Sequence, residues 1–151
     1  MNSSGDKIIF IDADGSISPK EIPKMLAKLD NYHIVIGDRS SKQSKIKQSY
    51  LRYLTGNIYS ILANTLFPIR IKDTLCGFKG FKRDIALLLF NEMISIGWIF
   101  DLELLYLAKK RGYFIYKLPF AWEHKEGTRM KLYTPLVMAW ETIKLRAKMT
   151  N

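Results

Sequence analysis

Apolar residues along the chain alternate between the spacing of a strand and that of a helix. Residues 8–11 are consecutive apolar residues, β-branched or aromatic, which predicts a buried strand. A helix is predicted next, with Ser18 as its N-cap and Pro19 at its first position, ending at about Leu29. Residues 33–36 predict a second buried strand, and because a helix joins the two strands, we expect them to be parallel neighbours.

The rest of the chain continues this alternation with more helix than strand. The remaining predicted elements are a basic amphipathic helical segment at about 42–67, helices over 83–92 and from Gly97 to a Gly112 cap, a strand over 113–120 and a C-terminal helix at about 133–148. Strands alternating with helices predict an α/β fold. At 151 residues, we expect a single domain, 1–151.

Two carboxylates stand one residue apart directly after the first strand. Side chains at i and i+2 of an extended segment leave the same face, so Asp12 and Asp14 can converge on one cation. Oxygen ligands of this kind favour Mg²⁺ or Mn²⁺, shared with a phosphate. The same residues, taken in isolation, are equally compatible with a solvated acidic turn.

The net charge of +10 and the isoelectric point near 9.7 favour anionic partners, namely nucleic acid, acidic phospholipid or phosphorylated substrates. Residues 39–52 carry five cations and no acid, and they begin at the end of the second strand. We expect this segment to face the Asp12 turn, so that phosphates are held from two sides, although a solvated face is the alternative.

Targeting and crosslinking signals are few. Cys76 is the only cysteine, which excludes an internal disulfide. No signal-peptide pattern is visible at the N-terminus. Residues 53–69 are interrupted by polar residues and Pro68, so we expect an interfacial helix rather than a membrane span.

Five motifs in order resemble the polyprenyl- or dolichyl-phosphate sugar synthases among the family 2 glycosyltransferases with the GT-A fold. They are FIDADG (10–15), IGDR (36–39), DTLCGFK (73–79), WIFDLELL (98–105) and WEHKEGT (122–128). The resemblance implies a three-layer GT-A-like sheet with flanking helices. It also implies inverting transfer of a hexose from a UDP- or GDP-sugar to a polyprenyl or dolichyl phosphate, with Mg²⁺ or Mn²⁺.

The resemblance also implies a role for individual residues. Asp12 and Asp14 would hold the metal, with His124 as a candidate third ligand, and Asp101 stands where such enzymes keep a catalytic carboxylate. The donor diphosphate and sugar would contact Asp14, His124 and Arg129. The acceptor phosphate would contact Arg39, Lys45, Arg52 and Lys79, with Asp73 and Trp98 supporting the acceptor site.

Two features depart from this pattern. Gly15-Ser16 after the second aspartate is closer to the glucose-transferring relatives than to the mannose-transferring ones. The family's first strands, which bind the nucleotide, have no counterpart in the chain. The resemblance therefore implies the acceptor-side half of an N-terminally truncated domain, cytoplasmic and peripheral to a membrane. Such a half-domain would be a non-catalytic remnant, a homo-oligomer, or one subunit of a split transferase that needs a separate nucleotide-binding chain.

Two other function classes compete with this interpretation. The stretch from 8 to 16 also resembles the first motif of haloacid-dehalogenase-type phosphatases, with Asp12 as nucleophile and Asp14 as acid/base. Asp38 would then supply the last acidic motif, but Arg39 follows it where a second acid is needed. A nucleic-acid binder fits the charge, yet no recognisable binding motif supports it.

Overall fold

The computed structural model describes residues 4–47, 50–123 and 133–149, with the backbone alone at 51 and 52. In chain order the elements are β1 (Lys7–Ile11), α1 (Ile22–Asn31), β2 (Ile34–Gly37), β3 (Lys45–Lys47), α2 (Tyr50–Leu66), β4 (Phe78–Lys82), α3 (Arg83–Glu92), α4 (Phe100–Lys110), β5 (Ile115–Leu118), β6 (Ala121–Glu123) and α5 (Thr134–Lys148). No helix in the described ranges is long and apolar enough to cross a membrane.

Four strands form the main sheet, in the order β1-β4-β2-β5. β4 is antiparallel to both β1 and β2, and β5 is parallel to β2. The expectation that β1 and β2 are neighbours is therefore wrong, although they run in the same direction. β4 lies between them, and its Gly80 leaves room for α1 on one face of the sheet, since a Cβ there would lie 2.7 Å from Met25 Sδ.

The sheet separates two apolar clusters and gives the molecule three layers. Ile34 and Ile36 of β2 belong to the cluster that includes residues of α2, α3, α4 and α5. Val35, between them, points into the other cluster, with Met25 and Leu29 of α1. The predicted α/β class with helices on both faces is confirmed.

Local signals at the helix ends are confirmed as well. Ser18 Oγ accepts a hydrogen bond from the Lys20 N–H at 3.3 Å, in a short 3-10 turn before α1. Gly112 has a φ of 79°, and the Tyr113 N–H reaches back to the Ala108 carbonyl at 3.0 Å. Glycine at this position ends α4 without backbone strain.

The basic segment begins its helix later than the sequence predicts. Lys45–Lys47 form β3, which pairs in parallel with β6, and α2 starts at Tyr50. Ile46 lies opposite Trp122 while the flanking lysines are exposed, so this short alternation fits a strand rather than a helix.

β1 lies at one edge of the main sheet. Among the described strands it has one neighbour, β4, and its five residues are all half-buried. The C-terminal ends of β1 and β2 point to the same edge of the sheet, so the segments after Ile11 and Gly37 both lie at that edge, with β4 between the two strands.

Candidate functional site

A cleft of about 1160 Å³ opens where β1 and β2 end. It has an acidic floor, a cationic side and an apolar mouth. The floor is lined by Asp12, Asp14, Asp73 and Asp101, the side by Arg39, Lys42 and Lys72, and the mouth by Tyr50, Tyr53, Trp98, Pro135 and Met138. The structure thus brings together the motifs that follow β1 and β2 and precede β4 and α4.

Asp12 is held directly against the loop before β4. Its N–H donates to the Gly77 carbonyl at 2.9 Å, and a Cβ at residue 77 would lie 1.9 Å from Asp12 Oδ2. Only glycine leaves room for this carboxylate. Partial desolvation in the cleft, and then the negative charges of Asp101 and Asp14, raise the pKa of Asp12 above its usual range.

Asp14 shapes the turn after β1 while remaining exposed. Its Oδ1 accepts the Ser16 N–H at 2.9 Å, and Gly15 between them has a φ of 71°. This short turn leaves the rest of the Asp14 carboxylate facing the cleft.

Arg39 and Asp73 form a two-pronged ion pair across the cleft. Arg39 Nε donates to Asp73 Oδ2 at 2.8 Å and a terminal nitrogen donates to Oδ1 at 2.7 Å, while the Arg39 N–H also donates to Oδ2. The guanidinium lies 5.3 Å from the Trp122 ring centroid. Burial opposes the charge, but Asp73 outweighs it and raises the pKa of Arg39. The guanidinium therefore stays charged at the cleft.

Lys79 and Asp101 form a second ion pair, which lies beneath the floor. Lys79 is 1% exposed, and its Nζ is 2.8 Å from Asp101 Oδ1 and also donates to the Cys76 carbonyl. Asp101 lies in the first turn of α4, and burial raises its pKa although Lys79 lowers it. Lys79 does not line the cleft and is the counter-ion of Asp101, which does, so its contact with an acceptor phosphate stays a prediction.

The other predicted cations are placed unevenly. Lys45 is exposed in β3 and does not line the cleft. The side chain of Arg52, and all of His124 and Arg129, lie outside the described residues. Lys42 and Lys72 do line the cleft, and sequence reasoning missed both as site residues. Lys42 stood within the predicted basic segment, and Lys72 precedes Asp73 in the third motif.

The acidic floor fits a divalent cation in part. Asp12 and Asp14 offer the carboxylate oxygens that Mg²⁺ and Mn²⁺ prefer, and a cation would relieve the repulsion that raises the pKa of Asp12. In residues 4–47, 50–123 and 133–149, no three acidic, histidine or cysteine side chains are grouped closely enough to hold a metal alone. A phosphate oxygen would therefore have to complete the coordination, as it does where Mg²⁺ is shared with a substrate.

Asp38, which the phosphatase alternative requires as its last acidic motif, instead forms hydrogen bonds with the loop that follows it. Its Oδ1 accepts the Ser40 N–H at 2.9 Å and the Ser40 hydroxyl. It is not among the residues that line the cleft with Asp12. This geometry does not support an acidic pair of the phosphatase kind.

Comparisons with known proteins agree with the motifs. The model described as "Glycosyl transferase family 2" matches residues 1–89. A dolichyl-phosphate beta-glucosyltransferase of Trichomonas vaginalis is 34% identical, over 96% of this chain and 46% of its own length. One of Homo sapiens is 32% identical, over 86% of this chain and 43% of its own length.

Solved structures share the fold at low sequence identity. Glucosyl-3-phosphoglycerate synthase from Mycobacterium tuberculosis, crystallised with Mn²⁺, UDP-glucose and phosphoglyceric acid, matches with a TM-score of 0.62 and 18% identity. The match covers 93% of this chain and 48% of the synthase. The fold is thus of the GT-A type, and the chain spans about half the length of the curated relatives it matches.

Proposed function

The chain belongs to glycosyl transferase family 2, and on that premise we propose that it serves the transfer of a hexose from a nucleotide sugar to a polyprenyl phosphate such as dolichyl phosphate. The observation that carries the proposal is the cleft, which joins an acidic floor to a cationic side and an apolar mouth. Glucose is the favoured sugar and UDP-glucose the favoured donor, because the similar proteins are named glucosyltransferases and Gly15-Ser16 resembles the glucose-transferring pattern.

The donor diphosphate belongs at the acidic floor. Asp12 and Asp14 would hold Mg²⁺ or Mn²⁺ there, with His124 as a third ligand, and Arg129 would contact the diphosphate or sugar. When bound, such a metal stabilises the negative charge that grows on the leaving diphosphate. Gly77 keeps Asp12 in place for this task, since any larger residue would displace its carboxylate.

The acceptor phosphate belongs at the cationic side. Arg39 is fixed by Asp73 at 2.7–2.8 Å, so it offers a preorganised positive charge. Lys42 and Lys72 also line the cleft and add two further ammonium groups. Lys45 and Arg52 stay proposed contacts along the approach to the cleft.

Transfer to a phosphate needs little proton chemistry. An acceptor phosphate oxygen attacks the sugar C1 while the bond from C1 to the diphosphate oxygen breaks, which inverts the configuration at C1. Because the acceptor is already ionised at neutral pH, a general base is not required. Asp101, tied to Lys79 at 2.8 Å, would instead orient the sugar or the acceptor.

The apolar mouth suits a lipid tail at a membrane surface. Tyr50 of the mouth is 78% exposed, and beyond the residues that line the cleft Ile61 of α2 is 69% exposed and Trp140 of α5 is exposed. The two helices pack together, with Tyr59 Oη 2.9 Å from Thr142 Oγ1. Aromatic side chains beside lysines are typical of surfaces that bind the interface of an anionic bilayer.

The test of the transfer is direct. Labelled UDP-glucose and GDP-mannose are offered with a short polyprenyl phosphate and Mn²⁺ or Mg²⁺, and lipid-linked sugar is extracted and counted. We expect transfer of glucose, abolished by Asp14→Asn and by chelation. A matched variant, Asp30→Asn, alters a carboxylate paired with Lys7 away from the cleft and should leave the rate unchanged.

A second candidate is a subunit of a split transferase, in which a separate chain supplies the nucleotide-binding part. The edge position of β1 favours it, because β1 pairs on one side alone among the described strands and an unpaired strand edge is a ready template for another strand. Transfer that appears only after a nucleotide-binding chain is added would support this candidate. Absence of transfer with and without such a chain would leave a non-catalytic remnant.

A further inference from the structure

Glu103 is a buried carboxylate to which the transfer chemistry gives no task. It lies in α4, two residues beyond Asp101, and is 0% exposed. Its Oε1 accepts the Ile94 N–H at 2.8 Å, and its Oε2 accepts the Ser95 N–H at 2.7 Å and the Ser95 hydroxyl. Three donors compensate the burial of this side chain, which is otherwise costly.

The segment that Glu103 holds is the loop of residues 93–98, between α3 and α4. Its middle residue Ile96 is 94% exposed, so the packing of that side chain does not fix the loop. Gly97 turns the chain with a φ of 107°, and Trp98 follows it into the wall of the cleft. The carboxylate of Glu103 therefore anchors the part of the loop that leads directly to Trp98.

The same helix turn also carries the residues that face the floor. Phe100 lines the cleft and packs edge-on against Phe10 of β1, with ring centroids 5.4 Å apart. Asp101 points to Lys79. The first turns of α4 thus carry both Asp101, which lines the floor, and Glu103, which holds the loop that leads to Trp98. Because both residues belong to one helix, the floor and the Trp98 loop are fixed relative to each other.

We propose that Glu103 is a positioning residue, which holds the 93–98 loop so that Trp98 forms the apolar wall against the acceptor's hydrocarbon chain. This rests on the proposed function only in naming the acceptor. The loop anchoring itself concerns the free protein and is measurable without any substrate.

The experiment compares Glu103→Gln with Glu92→Gln in the full chain. Glutamine keeps the size of Glu103 but replaces one acceptor oxygen by an NH₂ group, which then faces an N–H or O–H donor of the loop. Glu92 pairs with Arg111 at the surface, so its variant makes the same chemical change away from the cleft. Subtracting the signal of each variant's Trp98→Phe counterpart isolates the fluorescence of Trp98.

We expect acrylamide quenching of Trp98 to rise about twofold or more in Glu103→Gln, and binding of dodecyl phosphate to weaken about five- to tenfold, as for the loss of hydrogen bonds to a charged group. Binding of inorganic phosphate should stay the same, because it does not reach Trp98. Glu92→Gln should match the wild type in all three measurements. Unchanged quenching of Trp98 in a folded Glu103→Gln protein would overturn the proposal.

Two further outcomes separate this role from the proposed function. If Trp98 responds to Glu103→Gln but dodecyl phosphate does not bind the wild type, the anchoring stands and the lipid phosphate acceptor is wrong. If Glu103→Gln does not fold, Ser95→Ala removes one donor alone. We then expect a smaller rise in Trp98 quenching, and no rise would count against the role.

Discussion

Residues at the floor of the cleft are fixed by ion pairs and backbone hydrogen bonds, whereas the tyrosines that α2 contributes to its mouth are left in solvent. Asp73 and Asp101 each have a cationic partner within 2.8 Å. Tyr50 is 78% exposed and Tyr53 is 51% exposed. The charges at the floor are therefore held in fixed positions by their partners, whereas the apolar surface of the mouth is buried only when a ligand or another surface covers it.

The largest expected effect is on the buried pair beneath the floor. Lys79→Met leaves Asp101 buried beside the carboxylates of Asp12 and Asp73, so we expect the free energy of unfolding to fall by about 3–5 kcal/mol. Urea denaturation measures it. Lys47→Met removes one side of the exposed pair with Glu123 and should cost less than about 1 kcal/mol. If both variants lose the same free energy of unfolding, the buried pair at the floor contributes no more to stability than the exposed pair at the surface.

The next effect concerns the glycine under Asp12. Gly77→Ala places a Cβ 1.9 Å from the present position of Asp12 Oδ2, so the carboxylate must move. We expect Mn²⁺ affinity, measured by calorimetry with UDP, to fall at least about tenfold, with a stability loss of about 1–3 kcal/mol from overpacking.

Gly56→Ala is the matched control for that variant. Gly56 lies in α2 and also lines the cleft, but nothing lies within 4 Å of its added Cβ. Alanine there should stabilise the helix by up to about 1 kcal/mol and leave Mn²⁺ affinity unchanged. Loss of affinity in this control would argue that the metal is not held at Asp12.

The sequence predicted the floor better than the sheet that supports it. Asp12 and Asp14 were predicted from their position directly after β1, and Arg39 from the basic segment that follows β2, whereas Asp73 and Asp101 were predicted from the family resemblance; the cleft collects all five. What these residues bind stays a prediction.

The central strand was missed for a physical reason. β4 contains Lys79 and Gly80, which do not look like a buried strand, yet all of its first four residues are buried. Lys79 can be buried because Asp101 of α4 pairs with it. Gly80 is buried because α1 packs on it. Both causes are contacts between residues far apart in the sequence, and a local pattern carries no trace of them.

A smaller effect should appear in the pH dependence of stability. The pKa of Asp12 is raised above its usual 3.8, so the ionised form is disfavoured in the folded protein. Above the raised pKa, Asp12→Asn should therefore be more stable than the wild type, by less than about 1 kcal/mol because solvent screens this group. That advantage should vanish as the pH falls through the raised pKa towards 3.8. Thermal unfolding of both proteins, without metal and across the acid range, measures this difference in stability. If the difference between Asp12→Asn and the wild type is the same at every pH, the pKa of Asp12 is not raised by its surroundings.

The smallest effect on stability is expected on the exposed side of α2, the helix whose first residues line the mouth. Ile61 is 69% exposed on α2, so Ile61→Ser should change the free energy of unfolding by less than about 0.5 kcal/mol. Its effect on association should be larger, because burying an isoleucine in a bilayer interface is worth about 1.5–3 kcal/mol and serine forfeits it. Flotation with anionic vesicles at several salt concentrations measures both the apolar and the electrostatic part.

Lys117→Ser, an exposed position of β5 that is not among the residues lining the cleft, is the matched control, since it removes a charge without changing the mouth. We expect Ile61→Ser to weaken vesicle binding at high and low salt alike, and the control to weaken it slightly at low salt alone. If the two variants lose vesicle binding equally at every salt concentration, the mouth is an ordinary solvated surface. The exposed side chains of α2 would then cover no lipid, and the difference between floor and mouth would be one of rigidity alone.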